Sequence, residues 1–121
     1  MFALDTNTLI YYAAGQSATE AFFEEHQNSI FYLPSIVVAE FLSYPLITDS
    51  SATAFKRFAR QTIVVNLDFA IAELAANLRR RYKVKLMDAV VAATALTAQA
   101  TLVTNNTRDF KKISGLNLLH L

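Results

Sequence analysis

Short apolar, often β-branched runs alternate along this chain with longer segments of helical spacing, and that alternation most narrows the folds open to it. Met1 to Leu4, Ile30 to Leu33, Ile63 to Val65, Thr101 to Thr104 and Leu116 to Leu119 read as five strands. Helices are expected between them. The first runs from Thr6 to Ala14, capped by Thr6 or Asp5 and ending near Gly15, and is followed by Ser17 to His26. Ser35 should cap Ile36 to Ser43, before Pro45, and Ser50 to Gln61 forms the next helix. Asp68 caps a helix through Tyr82 that carries Ile71, Leu74, Ala75 and Leu78 at helical spacing, and Leu86 to Ala98 follows it. Strands interleaved with helices imply an α/β, three-layer fold with a central, mainly parallel sheet flanked by helices. With 121 residues, two glycines and two prolines, the chain suits one domain spanning 1–121 with short connections.

Composition removes several classes of function. Hydrophobic residues make up 54% and charged residues 17%, which excludes a disordered tail. The mean hydropathy of +0.29 raises the question of a membrane span. The longest uncharged stretch, Ala89 to Thr107, carries Thr94, Thr97, Gln99, Thr101, Thr104, Asn105 and Asn106, too polar for a lipid-facing helix of about 20 apolar residues. The first residues show no basic segment and no long apolar run, so no signal peptide is expected. The absence of cysteine leaves no disulfide framework and no thiolate metal site, and a cytoplasmic location fits. Charge is uneven: six acids and no base precede Lys56, whereas eleven bases stand against four acids from there on. A cation-binding pocket beside a phosphate-binding rim would produce that division, and so would ordinary solvated helix faces.

Four acids stand where carboxylates are seldom found. Asp5 follows the first strand, at the edge where open α/β sheets bind ligands, and an N-cap role would also explain it. Glu40 is the one charge among Ile36-Val37-Val38-Ala39 and Phe41-Leu42, and it shares a helix face with Val37, Phe41 and Tyr44. It is therefore expected to point among apolar groups, unless it occupies a partly exposed flank. Asp88 interrupts Leu86-Met87 and Ala89-Val90-Val91 and could also be an N-cap. Asp109 ends the polar stretch after Leu102-Val103-Thr104, where a turn role is the alternative. One divalent cation accounts for all four together. Without it, two carboxylates about 4 Å apart repel by roughly 4 kcal/mol at an effective dielectric near 20. Oxygen donors alone, with His26 and His120 far from these segments, favour Mg²⁺ or Mn²⁺ over Zn²⁺.

Four segments resemble the PIN-domain family in order and approximate spacing. They are Leu4-Asp5-Thr6-Asn7, Val37-Val38-Ala39-Glu40, Leu86 to Ala92 and Leu102 to Phe110. The resemblance spans the chain, including Ser114-Gly115-Leu116, and is greatest to the VapC toxins of VapBC toxin-antitoxin systems. It implies a metal-dependent endoribonuclease cleaving structured RNA such as tRNA or rRNA. Asp5 and Asp88 would hold the Mg²⁺ or Mn²⁺, with Glu40 and Asp109 completing the catalytic acids. Many members carry an acid where Asn106 stands, which is why Asp109 is taken as the fourth acid.

Arg79, Arg80, Arg81, Lys83 and Lys85 are the first candidates for RNA contacts, then Arg108, Lys111 and Lys112. A solvated helix end that favours the helix dipole would use the same residues. The resemblance further implies a VapB-like antitoxin, a homodimer and no membrane. Tyr11, Tyr12, Phe22 and Phe23 could supply a partner surface or belong to the core. Two rivals remain from the sequence: a catalytically degenerate PIN domain that only binds RNA or protein, and an aspartate-nucleophile phosphatase. The second is weakened by Asn7 standing two residues after Asp5, where those enzymes have an acid.

Overall fold

The computed structural model describes residues 1–121. In chain order the elements are β1 (Phe2–Leu4), α1 (Thr6–Ala13), α2 (Ser17–Glu25), β2 (Phe31–Pro34), α3 (Ser35–Leu42) and α4 (Asp49–Ala59). They continue as β3 (Ile63–Val65), α5 (Phe69–Tyr82), α6 (Leu86–Ala98), β4 (Thr101–Thr104), α7 (Thr107–Phe110) and β5 (Leu118–His120). The five strands form one sheet in the order β3-β2-β1-β4-β5, and every neighbouring pair is parallel. Helices flank it, as the alternation of elements requires.

The strand order fixes where a ligand can sit. From β1 the chain builds outward through β2 to β3, then crosses back to place β4 and β5 on the other side of β1. The helices leaving β1 and β4 therefore diverge, and a crevice opens beyond the carboxyl ends of these two strands. Leu4 pairs in register with Val103, so Asp5 and Thr104 leave the sheet side by side.

The core explains the strands. Ala3, Leu4, Leu33, Leu102 and Val103 are fully buried, as expected for central strands covered on both faces. β3 forms an outer edge, and its Ile63 and Val64 remain substantially exposed. Helix α6 lies against β1, β2 and β4 and packs on α5. Its residues Ala89 to Ala95 are all buried, and the small alanines allow backbone and sheet to approach closely. No helix is long and apolar enough to cross a membrane.

Most element boundaries follow the sequence, and α6 and β4 fall where periodicity places them. The departures are local. Ser35 is not the cap of α3: Pro34 holds that position, and the Ser35 hydroxyl accepts from the Leu67 amide at 3.0 Å, pinning the loop before α5. Helix α4 starts at Asp49 because the Thr48 hydroxyl caps Ser51 N at 3.0 Å. The last strand is shifted to Leu118–His120, where it pairs with β4. Phe22 and Phe23 are core residues, Tyr12 is half-buried against Phe23, and only Tyr11 of that set is exposed.

Candidate active site

A cleft of about 740 Å³ opens at the carboxyl edge of the sheet. Asp5, Thr6, Glu40, Asp88 and Asn106 line it, delivered by four separate stretches of chain. Along α1 and its C-cap the lining changes from these polar groups to Ile10, Ala13 and Ala14, and Tyr44, Pro45, Leu46 and Ile47 from the loop after α3 line the same cleft. No lysine, arginine or histidine contributes to the cleft.

Asp5 is buried, with only 6% of its surface exposed. Its capping role and its place at the sheet edge prove compatible. Its Oδ1 caps α1 by accepting from Thr8 N at 2.8 Å, and the residue still lines the cleft. The Thr8 hydroxyl, fully buried, donates to the Val103 carbonyl at 3.1 Å and ties the first turn of α1 to β4. Asp5 is thus fixed relative to both strands that frame the crevice.

Glu40 departs from its expected environment. It is exposed rather than set among core groups, and Tyr44, expected on the same helix face, lies in the loop beyond the end of α3 at Leu42 and is exposed as well. The apolar residues sharing its face form a cleft wall as much as a core. Glu40 nevertheless reaches the site, where its Oε1 accepts a hydrogen bond from the Thr6 hydroxyl. In the sequence Thr6 stands out only as a possible cap and as a member of the Leu4-Asp5-Thr6-Asn7 segment, and neither points to a contact with Glu40.

Asp88 sits in the first turn of α6, whose N-cap position belongs to Lys85, so it is not the capping residue. It is half-buried, and its pKa is raised above the ordinary aspartate value of 3.8. Burial is the largest cause, followed by the negative charge of Asp109; Lys85 pulls in the opposite direction, and Asp5 and Glu40 add further repulsion. The four acids named by the sequence therefore share one electrostatic neighbourhood. Asp109 does not line the cleft. It accepts from Asn106 Nδ2 at 3.2 Å, so Asn106 faces the cleft with Asp109 behind it.

No three of these side chains stand in an arrangement that already encloses a metal ion. Their chemistry still fits a hard divalent cation. The donors are oxygens. The hydrogen bonds to Asp5, Glu40 and Asp109 come from neutral groups, Thr8 N, Thr6 Oγ1 and Asn106 Nδ2. The repulsion that pushes Asp88 toward protonation is what a bound cation would neutralise.

The basic residues are all exposed and lie outside the cleft. Arg79, Arg80 and Arg81 form the last turn of α5, where Arg80 donates to Asn77 and Arg81 lies over the Tyr82 ring at 5.5 Å. Lys83 follows that helix, Arg108 is the second residue of α7, and Lys85 is close enough to act on Asp88.

No curated protein sequence matches the chain significantly. Solved structures do. The chain is similar to a toxin-antitoxin complex from Klebsiella pneumoniae, at 27% identity and a TM-score of 0.85, covering 98% of this chain and 96% of that one. VapBC2 from Rickettsia felis, bound to a DNA fragment from its promoter, is similar at 23% identity and a TM-score of 0.85, covering 99% and 98%. DNA-bound VapBC from Salmonella typhimurium is similar at 23% identity and a TM-score of 0.84, covering 98% and 96%. The family profile of the PIN domain matches residues 2–116, and on that match, with the parallel sheet and the acids at its crevice, the chain belongs to the PIN domain family.

Proposed function

We propose that this chain is a Mg²⁺- or Mn²⁺-dependent endoribonuclease, the toxin of a VapBC-type pair acting in the cytoplasm on structured RNA such as tRNA or rRNA. The observation that supports this is that Asp5, Glu40 and Asp88, from three distant segments, line one cleft without a lysine, arginine or histidine, at the crevice between β1 and β4. Membership of a nuclease family and similarity to toxin-antitoxin complexes support it.

Asp5 and Asp88 are the residues that would hold the metal, which when bound supplies a water of lowered pKa and charge neutralisation on the phosphate. Glu40, with one carboxylate oxygen engaged by Thr6, keeps the other to take the proton of the attacking water. The water oxygen would bond to phosphorus as the P–O3′ bond breaks, and the departing O3′ would take a proton from solvent, leaving a 5′-phosphate and a 3′-hydroxyl. Asp109 holds the Asn106 amide at the cleft and adds negative charge behind Asp88. Arg79, Arg80, Arg81, Lys83, Lys85 and Arg108 attract the RNA from outside the cleft, since none lines it.

Two surfaces support the partner reading. Exposed Ile10, Tyr44 and Leu46 beside the acids offer an apolar face to a VapB-like antitoxin. Exposed Ile63, Val64, Leu67 and Phe69, at the sheet edge and the start of α5, offer one to a second copy. Cleavage of an RNA panel with Mn²⁺ tests the activity. It should be lost in Asp5→Asn and kept in Lys56→Ala, an exposed residue of α4 given no role in the site; cleavage that survives Asp5→Asn would refute the assignment and leave a binding module.

A further inference from the structure

We infer that Thr6 is a positioning residue, its hydroxyl orienting the Glu40 carboxylate for the reaction. The inference rests on the nuclease reading above and adds a residue to it. Glu40 is exposed, on a helix with no other charge, and a long solvent-facing side chain of this kind otherwise rotates freely. The Thr6 hydroxyl donates to its Oε1 across 34 residues of sequence. Thr6 can serve as a fixed point because it is itself immobilised. It is buried at 7% exposure in the first turn of α1, and a β-branched side chain has few rotamers.

The same turn is anchored on both sides, by Asp5 accepting from Thr8 N at 2.8 Å and by Thr8 donating to Val103 of β4 at 3.1 Å. The position of the Glu40 carboxylate is thereby referred to Asp5 and to the strand that leads to Asn106, not to the exposed end of α3. One oxygen is held and the other stays free for a water.

The test compares Thr6→Val, Thr6→Ala and Thr6→Ser in the full chain, each alone and combined with Glu40→Gln. Thr6→Val should lower kcat for Mn²⁺-dependent RNA cleavage by about ten- to a hundredfold, with KM and calorimetric Mn²⁺ affinity unchanged. Thr6→Ser, which keeps the hydroxyl, should stay within a few-fold of wild type. In the Glu40→Gln background Thr6→Val should add nothing further. Side-chain carbon relaxation of Glu40 in the metal-free protein gives a readout independent of turnover: ordered in wild type and Thr6→Ser, mobile in Thr6→Val. Should Thr6→Val not fold, Thr6→Ala carries the same expectations.

A wild-type kcat in Thr6→Val, a Thr6→Ser protein as slow as Thr6→Val, or a Glu40 side chain equally mobile in all would overturn the inference. Cleavage unaffected by both Asp5→Asn and Glu40→Gln would instead reject the nuclease reading beneath it.

Discussion

Replacing Asp88 by Asn should make the metal-free protein more stable at neutral pH. Three carboxylates, Asp109, Asp5 and Glu40, oppose the Asp88 charge and one base, Lys85, favours it. At an effective dielectric near 40, suited to a half-buried group beside solvent, two unit charges about 7 Å apart interact by roughly 1 kcal/mol, which sets the scale of each pair. Asn escapes the desolvation that is the largest cause of the shift, and three repulsions against one attraction leave a net cost of about two such pairs, roughly 2 kcal/mol. Against this, a carboxylate in the first turn of a helix gains about 0.5 kcal/mol from the dipole, which Asn forfeits. The balance is a net gain of about 1–2 kcal/mol, or roughly 3–8 °C in Tm for a chain of this size.

The pH dependence carries the same sign. The folded-state pKa of Asp88 lies above its unfolded value near 3.8. Its contribution is therefore fully present below pH 3.8 and is lost as pH rises through the folded value. The advantage of Asp88→Asn should accordingly be small at the acid end and grow toward neutrality. Thermal melts in chelator across that range measure it. In excess Mn²⁺ the order should invert, because only the wild type retains both proposed ligands. An Asp88→Asn protein that melts at or below wild type in chelator at pH 7, or a difference that ignores pH, would refute the repulsion argument.

Asp5→Asn should fold as well as wild type because an amide oxygen can also cap α1, whereas Asp5→Ala should lose about 1 kcal/mol with the Thr8 N bond; melting curves separate them, and neither should cleave RNA. Gln99 closes α6 in the left-handed region at φ 54°, so Gln99→Gly should raise stability by about 0.5–1 kcal/mol, read from urea midpoints. Lys85→Ala should weaken RNA binding at low salt and reduce the slope of log K against log salt by about one, as titrations at several salt concentrations would show.

The sequence displayed the parts of this fold where local preference and tertiary need agree. Leu86 to Ala98 is nearly charge-free and bounded by Lys85 and Gln99, and it forms a helix with those limits because nothing in the sheet contests it. The acids were legible for the opposite reason. A carboxylate beside Leu4 or between Met87 and Ala89 conflicts with its neighbours, and such conflicts persist where the folded state has a use for them. Glu40 shows where this reasoning fails. Helical spacing extrapolated a face through Tyr44, but the helix stops at Leu42: Val37 and Phe41 are buried, while Glu40 is exposed and Tyr44 falls in the loop beyond. Thr6 was illegible because it offends no local rule: a threonine at a helix start looks like a cap. Its hydroxyl meets Glu40 only because α1 and α3 leave adjacent parallel strands and pack on each other. Residues that support a site are written in the topology, and a sequence read segment by segment finds only the residues that the site forces into uncomfortable places.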